Sequence, residues 1–200
     1  AGITAGALVA IGPPYPTVAP TVAADVPAVV LGLASLAVLA FALERSAPSA
    51  LPVVAGALLT AGVLTKLLAA PFVVPFVALA LAAGTARRTL PRAAAGAVLL
   101  AGAVALAHLG SLDEIWAAVV SDHTGAKELG SYAENARWIR DHLEPRTPIA
   151  WLFPAGLVAF ALSRDARRTW PLWTLVPASW AFLVLVRPLA DHHLVLLTAA

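Results

Sequence analysis

The sequence predicts an all-α, polytopic transmembrane helical bundle of about six to eight spans, with a long outer loop that carries interfacial helices. Hydrophobic residues make up 60% of the 200 residues and charged residues only 12%. The mean hydropathy is +0.86, whereas soluble domains are typically about 45–50% apolar and about 25% charged. The charged residues are also confined to short stretches, and most of the apolar runs between them have the roughly 17–25 residues that cross a bilayer as a helix.

The apolar runs define the predicted spans in chain order. They cover residues 1–24, 26–43, 46–65, 67–86, 93–112, 147–163 and 169–186. Between residues 46 and 86, Lys66 is the one charged residue in a stretch of 41. A single helix of that length would measure about 60 Å, roughly twice the bilayer core. We therefore predict two spans with a turn at residues 64–66.

The short connections set the predicted orientation. Residues 44–45, 87–92 and 164–168 concentrate arginine, and connections rich in Arg or Lys lie on the cytoplasmic side. The turn at Lys66 then faces outward, residues 93–109 exit, residues 148–163 return and residues 172–186 exit again. This arrangement predicts a multi-pass protein of the plasma membrane.

Residues 110–147 form the predicted outer loop, with seven acidic and four basic residues. Ser111 is a candidate N-cap for a helix that continues through residues 115–120, and residues 131–142 have mixed helical spacing of apolar side chains. We predict two interfacial helices with Trp116 and Trp138 near the lipid headgroups.

The predicted topology collects several polar residues on the outer side, where we place a candidate site. Asp25 precedes a span, and it is either a helix-start carboxylate favoured by the helix dipole or a carboxylate that faces a cavity. Lys66 lies between two apolar spans, where it either extends its ammonium to the interface or meets an anion.

Arg187, His192 and His193 complete the candidate site at the start of the last apolar run. Their donors suit a phosphate or a sugar hydroxyl, and the alternative is an interfacial polar cap. Asp191 adjoins the histidines, but neighbouring residues on a helix point about 100° apart and rarely bind one ion together. We therefore predict no metal site there.

Other classes of function lack support in the sequence. The net charge of +2 is small and the basic residues occupy separate loops, which argues against binding of nucleic acid. The chain contains no cysteine, and it has none of the motifs of soluble enzymes, such as a glycine-rich phosphate loop.

Three sequence patches resemble the core of bacterial GT-C glycosyltransferases, of the protein-mannosyltransferase and aminoarabinose-transferase type (glycosyltransferase family 39-like). They are AADVPA at residues 23–28, GALLTAGVLTK at residues 56–66 and RPLADHHL at residues 187–194. The resemblance extends over nearly the whole chain, and we expect residues 1–200 to be a single fragment of such a transmembrane core, with upstream and downstream parts missing.

The resemblance implies an integral membrane enzyme that moves a sugar from a polyprenyl-phosphate donor to a lipid, glycan or protein acceptor at the non-cytoplasmic face, in contact with membrane lipids. It makes Lys66 a phosphate contact, and it places Arg187, His192 and His193 at the donor. Asp25 becomes a supporting carboxylate, because the main catalytic base of such enzymes would lie upstream of this fragment. No cofactor is certain, and the resemblance leaves a divalent metal open.

Two other classes of membrane protein are alternatives. A transporter or flippase of a lipid-linked or small polar substrate would place its binding site near the bilayer midplane between paired halves, and the sequence shows neither midplane charge nor such symmetry. A scaffold subunit would give no reason for the polar residues to share one side.

Overall fold

The computed structural model describes residues 24–44, 50–111, 113–114, 131–142 and 166–186. In these residues the chain is helical and contains no strand, which agrees with the all-α class predicted from the sequence. The α-helices are α1 (Asp25–Glu44), α2 (Ala50–Thr65), α3 (Val73–Ala82), α4 (Ala86–Ala107), α5 (Tyr132–His142), α6 (Ala166–Trp173) and α7 (Leu175–Leu185). A 3-10 helix (Leu67–Phe72) joins α2 to α3, and a short one (Leu109–Ser111) follows α4.

Two of the described helices, α1 and α4, are long and apolar enough to cross a membrane. Shorter apolar helical stretches cover Ala50–Thr65, Leu67–Ala82 and Thr169–Leu185. The number of six to eight spans stays a prediction. The predicted return span at residues 148–163 and the helix at 115–120 lie outside the described residues.

The turn predicted at residues 64–66 is confirmed. Helix α2 ends at Thr65, and Lys66 has extended backbone angles of φ −161° and ψ 138° before the 3-10 helix begins. The Lys66 N–H still donates to the Gly62 carbonyl at 3.0 Å, while its own carbonyl accepts from Ala69 at 3.1 Å. Lys66 therefore belongs to the ends of two helices, and its position is fixed by both.

Glycines bring α1, α2 and the 3-10 helix into close contact. A Cβ atom on Gly62 would lie 3.0 Å from the Ala28 carbonyl oxygen, and one on Gly32 would lie 2.6 Å from the ring of Phe72. The Phe72 ring is fully buried in the core. In a bilayer such close packing of small residues replaces the hydrophobic effect as the main source of helix association.

Helix α4 crosses α2 through direct backbone contact. A Cβ atom on Gly56 would lie 2.0 Å from the Ala93 carbonyl oxygen, and one on Gly96 would lie 2.0 Å from the Val53 carbonyl oxygen. The two contacts are reciprocal, because each glycine meets the carbonyl of the residue three positions before the other glycine. The outward direction of both helices stays a prediction from loop charge.

The turn before α4 is a helix-ending motif centred on Gly84. Gly84 has a φ of +66°, a conformation that favours glycine. The Gly84 N–H donates to the Leu81 carbonyl at 2.9 Å and the Thr85 N–H donates to the Ala80 carbonyl at 3.2 Å, as in a Schellman motif. This motif ends α3 and sets the direction in which α4 starts.

A second pair of helices packs beside the segment that follows Lys66. Helix α6 contacts α3, while α7 contacts the 3-10 helix. The 3-10 helix precedes α3 in the chain, whereas α7, which contacts the 3-10 helix, follows α6. The α6–α7 stretch therefore runs in the opposite direction to the stretch formed by the 3-10 helix and α3. Helix α7 therefore ends on the Lys66 side of the bundle, while the membrane side on which this end lies stays a prediction.

The second helix predicted in the outer loop is confirmed as α5, which packs against α7, while its place at the membrane interface stays a prediction. Its Ile139 is fully buried in the common hydrophobic core, and Trp138 is partly buried against the same core. Helix α5 therefore contacts the helical bundle directly.

Candidate functional site

Asp25 occupies the first residue of α1, at the end of the helix where backbone N–H groups are not used within the helix. A carboxylate is favoured there by the helix dipole, and Pro27 fits the first turn because its missing N–H is not needed. The helix-start interpretation of Asp25 is therefore correct as to position. Asp25 is nonetheless only 1% exposed, which is far more buried than a simple surface cap.

Lys66 lies at the same end of the α1–α2 pair, and its ammonium turns toward Asp25. The Lys66 Nζ atom is 2.6 Å from the Asp25 Oδ1 atom. The Lys66 side chain is 31% exposed, and that of Asp25 is 2% exposed. The ion pair thus has one buried member and one member that reaches the surface of the described structure.

The close helix contacts explain why these two residues meet. Gly62 lies four residues before Lys66, and Ala28 lies three residues after Asp25. Because Gly62 and Ala28 are in contact, the ends of α1 and α2 cannot separate without opening the core. The carboxylate offsets the cost of placing an ammonium between apolar helices, and the ammonium does the same for the carboxylate. The alternative in which Lys66 extends its ammonium to the interface therefore agrees with its partial exposure, but it does not account for its contact with Asp25.

The pair can present positive charge to an anion without losing its own contact. An ammonium has three N–H donors, so donors beyond those directed at Asp25 are available on the exposed side of Lys66. The Asp25 carboxylate, by contrast, is buried and contacts the partly exposed Lys66 ammonium. The arrangement suits a phosphate oxygen, with which lysine forms charge-assisted hydrogen bonds.

The remaining predicted site residues, Arg187, His192 and His193, lie outside the described residues. The nearest described residue is Val186, at the end of α7. Among the residues that the structure describes, no three His, Cys, Asp or Glu side chains come together to hold a metal ion.

Asn135 is a buried polar residue that the sequence analysis did not single out. It lies on α5 and is 7% exposed, and its side-chain amide donates to the carbonyl of Val186 at 2.6 Å and to that of Val184 at 3.1 Å. Asn135 and Ile139 are four residues apart and therefore lie on one helix face. In the sequence, an amide and an apolar residue at this spacing was the signal that could have pointed to a buried Asn135.

Comparison with known families gives a match over the first part of the chain. The family model described as dolichyl-phosphate-mannose-protein mannosyltransferase matches residues 1–110, which is more than half of the 200-residue chain and includes both Asp25 and Lys66. Comparison with curated proteins and with solved structures gives no match. The chain therefore belongs to the dolichyl-phosphate-mannose-protein mannosyltransferase family, whose members are membrane-embedded glycosyltransferases.

Proposed function

We propose that this chain is part of an integral membrane glycosyltransferase that moves a sugar from a polyprenyl-phosphate donor to an acceptor at the non-cytoplasmic face. The observation that carries the proposal is the ion pair between Lys66 and Asp25, with its partly exposed ammonium. It lies within the residues that match the family model.

The proposal gives the two residues different tasks. Lys66 contacts the donor phosphate and stabilises the negative charge that grows on it as the bond to the sugar breaks. Asp25 is too buried to reach the sugar, so it holds the ammonium in place. The general base that activates the acceptor hydroxyl then comes from elsewhere in the protein, in line with the supporting role predicted for Asp25.

The polar residues Arg187, His192 and His193 extend the proposed site. Support comes from α7, which packs against the 3-10 helix next to Lys66. Helix α7 ends at Leu185, two residues before Arg187 in the sequence. We assign these three residues to the donor phosphate and sugar.

The test is sugar transfer by membranes that contain the full-length protein, with a radiolabelled polyprenyl-phosphate hexose as donor. Lys66→Ala should lose most transfer, and Asp25→Asn should lower it, at unchanged protein levels. Lys66→Arg serves as the matched control, since it keeps the charge and should retain part of the activity. Transfer by Lys66→Ala at the wild-type rate would refute the phosphate contact, and no transfer by wild type from a panel of such donors would refute the proposed function.

A further inference from the structure

The end of α7 is held by a side chain from another part of the chain. The last carbonyl groups of a helix have no partner within the helix. Here the Asn135 amide nitrogen lies 2.6 Å from the Val186 carbonyl oxygen, 3.1 Å from that of Val184 and 3.5 Å from that of Leu183. One buried amide thus satisfies carbonyl groups that would otherwise need water.

Helix α5 is built to present this amide. Its first turn forms a capping box, in which Ser131 Oγ accepts from the Glu134 N–H at 3.2 Å and the Glu134 carboxylate accepts from the Ser131 N–H. One turn after Asn135, Ile139 is fully buried. The opposite face carries exposed charged residues, among them Arg140 and Asp141. The helix therefore docks through one face, which carries both the Asn135 amide and the apolar Ile139 side chain.

The docked helix is connected to the ion pair through α7. Helix α7 packs against the 3-10 helix that starts directly after Lys66. Leu183 of α7, Ile139 of α5 and Phe72 of the 3-10 helix belong to one buried core. A shift of α7 would therefore be transmitted to the segment that fixes the backbone of Lys66.

We propose that Asn135 is a positioning residue, which fastens the loop helix α5 to the end of α7 and so fixes Lys66 for its anion. The part that concerns the donor rests on the proposed function, whereas the docking of α5 does not. The Asn135 amide donates to main-chain carbonyls at the end of α7 and so acts through α7.

Hydrogen–deuterium exchange of the full-length protein in detergent tests the docking. The variants are Asn135→Ala, Asn135→Asp and, as a control on the exposed face of the same helix, Ala133→Gln. Exchange of residues 132–142 should be about tenfold faster in Asn135→Ala than in wild type, because loss of the amide leaves partly buried carbonyls without a donor. Ala133→Gln should exchange like wild type. Equal protection in Asn135→Ala and wild type would overturn the docking role.

Asn135→Asp separates hydrogen bonding from shape. Its ionised carboxylate has the shape of the amide but no donor, so at a pH at which it is ionised exchange should be at least as fast as in Asn135→Ala. After correction for intrinsic exchange rates, protection should return as the pH falls, since a protonated carboxyl regains one donor. Protection that stays low at every pH in Asn135→Asp would contradict the hydrogen-bond explanation.

Donor kinetics test the positioning of Lys66. In Asn135→Ala the KM for the lipid-phosphate sugar should rise about threefold to tenfold while kcat stays within about twofold, because ground-state binding of the phosphate is weakened. Lost protection with an unchanged KM would overturn the positioning role. If wild type transfers no sugar, the proposed function fails, and the exchange experiment still decides whether Asn135 docks α5.

Discussion

The ion pair between Asp25 and Lys66 makes a quantitative prediction about stability. Removal of one partner of a fully buried pair costs about 3–5 kcal/mol, whereas exposed pairs contribute about 0–1 kcal/mol. The Asp25 side chain is 2% exposed and that of Lys66 is 31% exposed, so the pair lies between these limits. We expect Lys66→Met to lower the free energy of unfolding by about 2 kcal/mol, since it leaves a buried carboxylate without its ammonium.

The two members should not be equivalent in this measurement. Asp25→Asn leaves the Lys66 ammonium, which can still reach solvent, so we expect a smaller loss of about 1 kcal/mol. The double variant Asp25→Asn with Lys66→Met should be more stable than Lys66→Met alone, because no buried charge remains. This non-additivity measures the interaction between the two side chains.

The assay is unfolding of the full-length protein by sodium dodecyl sulfate in mixed micelles, followed for the two single variants and the double variant. Arg140 and Asp141 provide a matched control, because their pair is 71% and 59% exposed, and Asp141→Asn should leave stability unchanged. Strictly additive effects of the Asp25 and Lys66 substitutions would refute the reasoning. Sugar transfer should stay low in the double variant even where its stability recovers, because the phosphate contact is gone.

Three further predictions concern packing, the turn and topology. Gly96→Val should destabilise the protein by about 1–3 kcal/mol because its side chain meets the α2 backbone. An added Cβ at Gly102 would meet no atom of another helix within 4 Å, so Gly102→Val should change the free energy of unfolding by less than about 0.5 kcal/mol. Equal effects would contradict the contact. Gly84→Ala should cost about 1 kcal/mol through its φ of +66°, measured in the same titration, and an unchanged midpoint would argue against the left-handed turn. In intact cells, a cysteine at Thr65 should react with an impermeant thiol reagent, whereas one at Arg87 should react only after the membrane is opened. Outside labelling at Arg87 would overturn the orientation predicted from loop charge.

The sequence was sufficient to predict which residues of the α1–α2 pair lie together at one end. Span length forced a turn near Lys66, and the loop charges placed that turn on the same side as Asp25. The direct ion pair could not be predicted, because it depends on the rotation of two helices about their axes. That rotation is set by glycine contacts such as Gly62 with Ala28.

Other features depended on contacts that leave a weak trace in the sequence. The crossing of α4 over α2 arises from Gly56 and Gly96, and glycines in an apolar run show that a close approach is possible but not which helix approaches. Asn135 resembles any polar residue of an amphipathic helix until its carbonyl partners are known. The roles of Arg187, His192 and His193 stay predictions.

The backbone contact at Gly56 also limits how the length of α2 can change during evolution. Lys66 lies ten positions after Gly56, and one residue inserted between them would rotate Lys66 by about 100° and move it by about 1.5 Å. The ammonium would then leave the carboxylate while the crossing with α4 stayed in place. Insertions and deletions among relatives should therefore be excluded from this stretch and tolerated in the connections between helices.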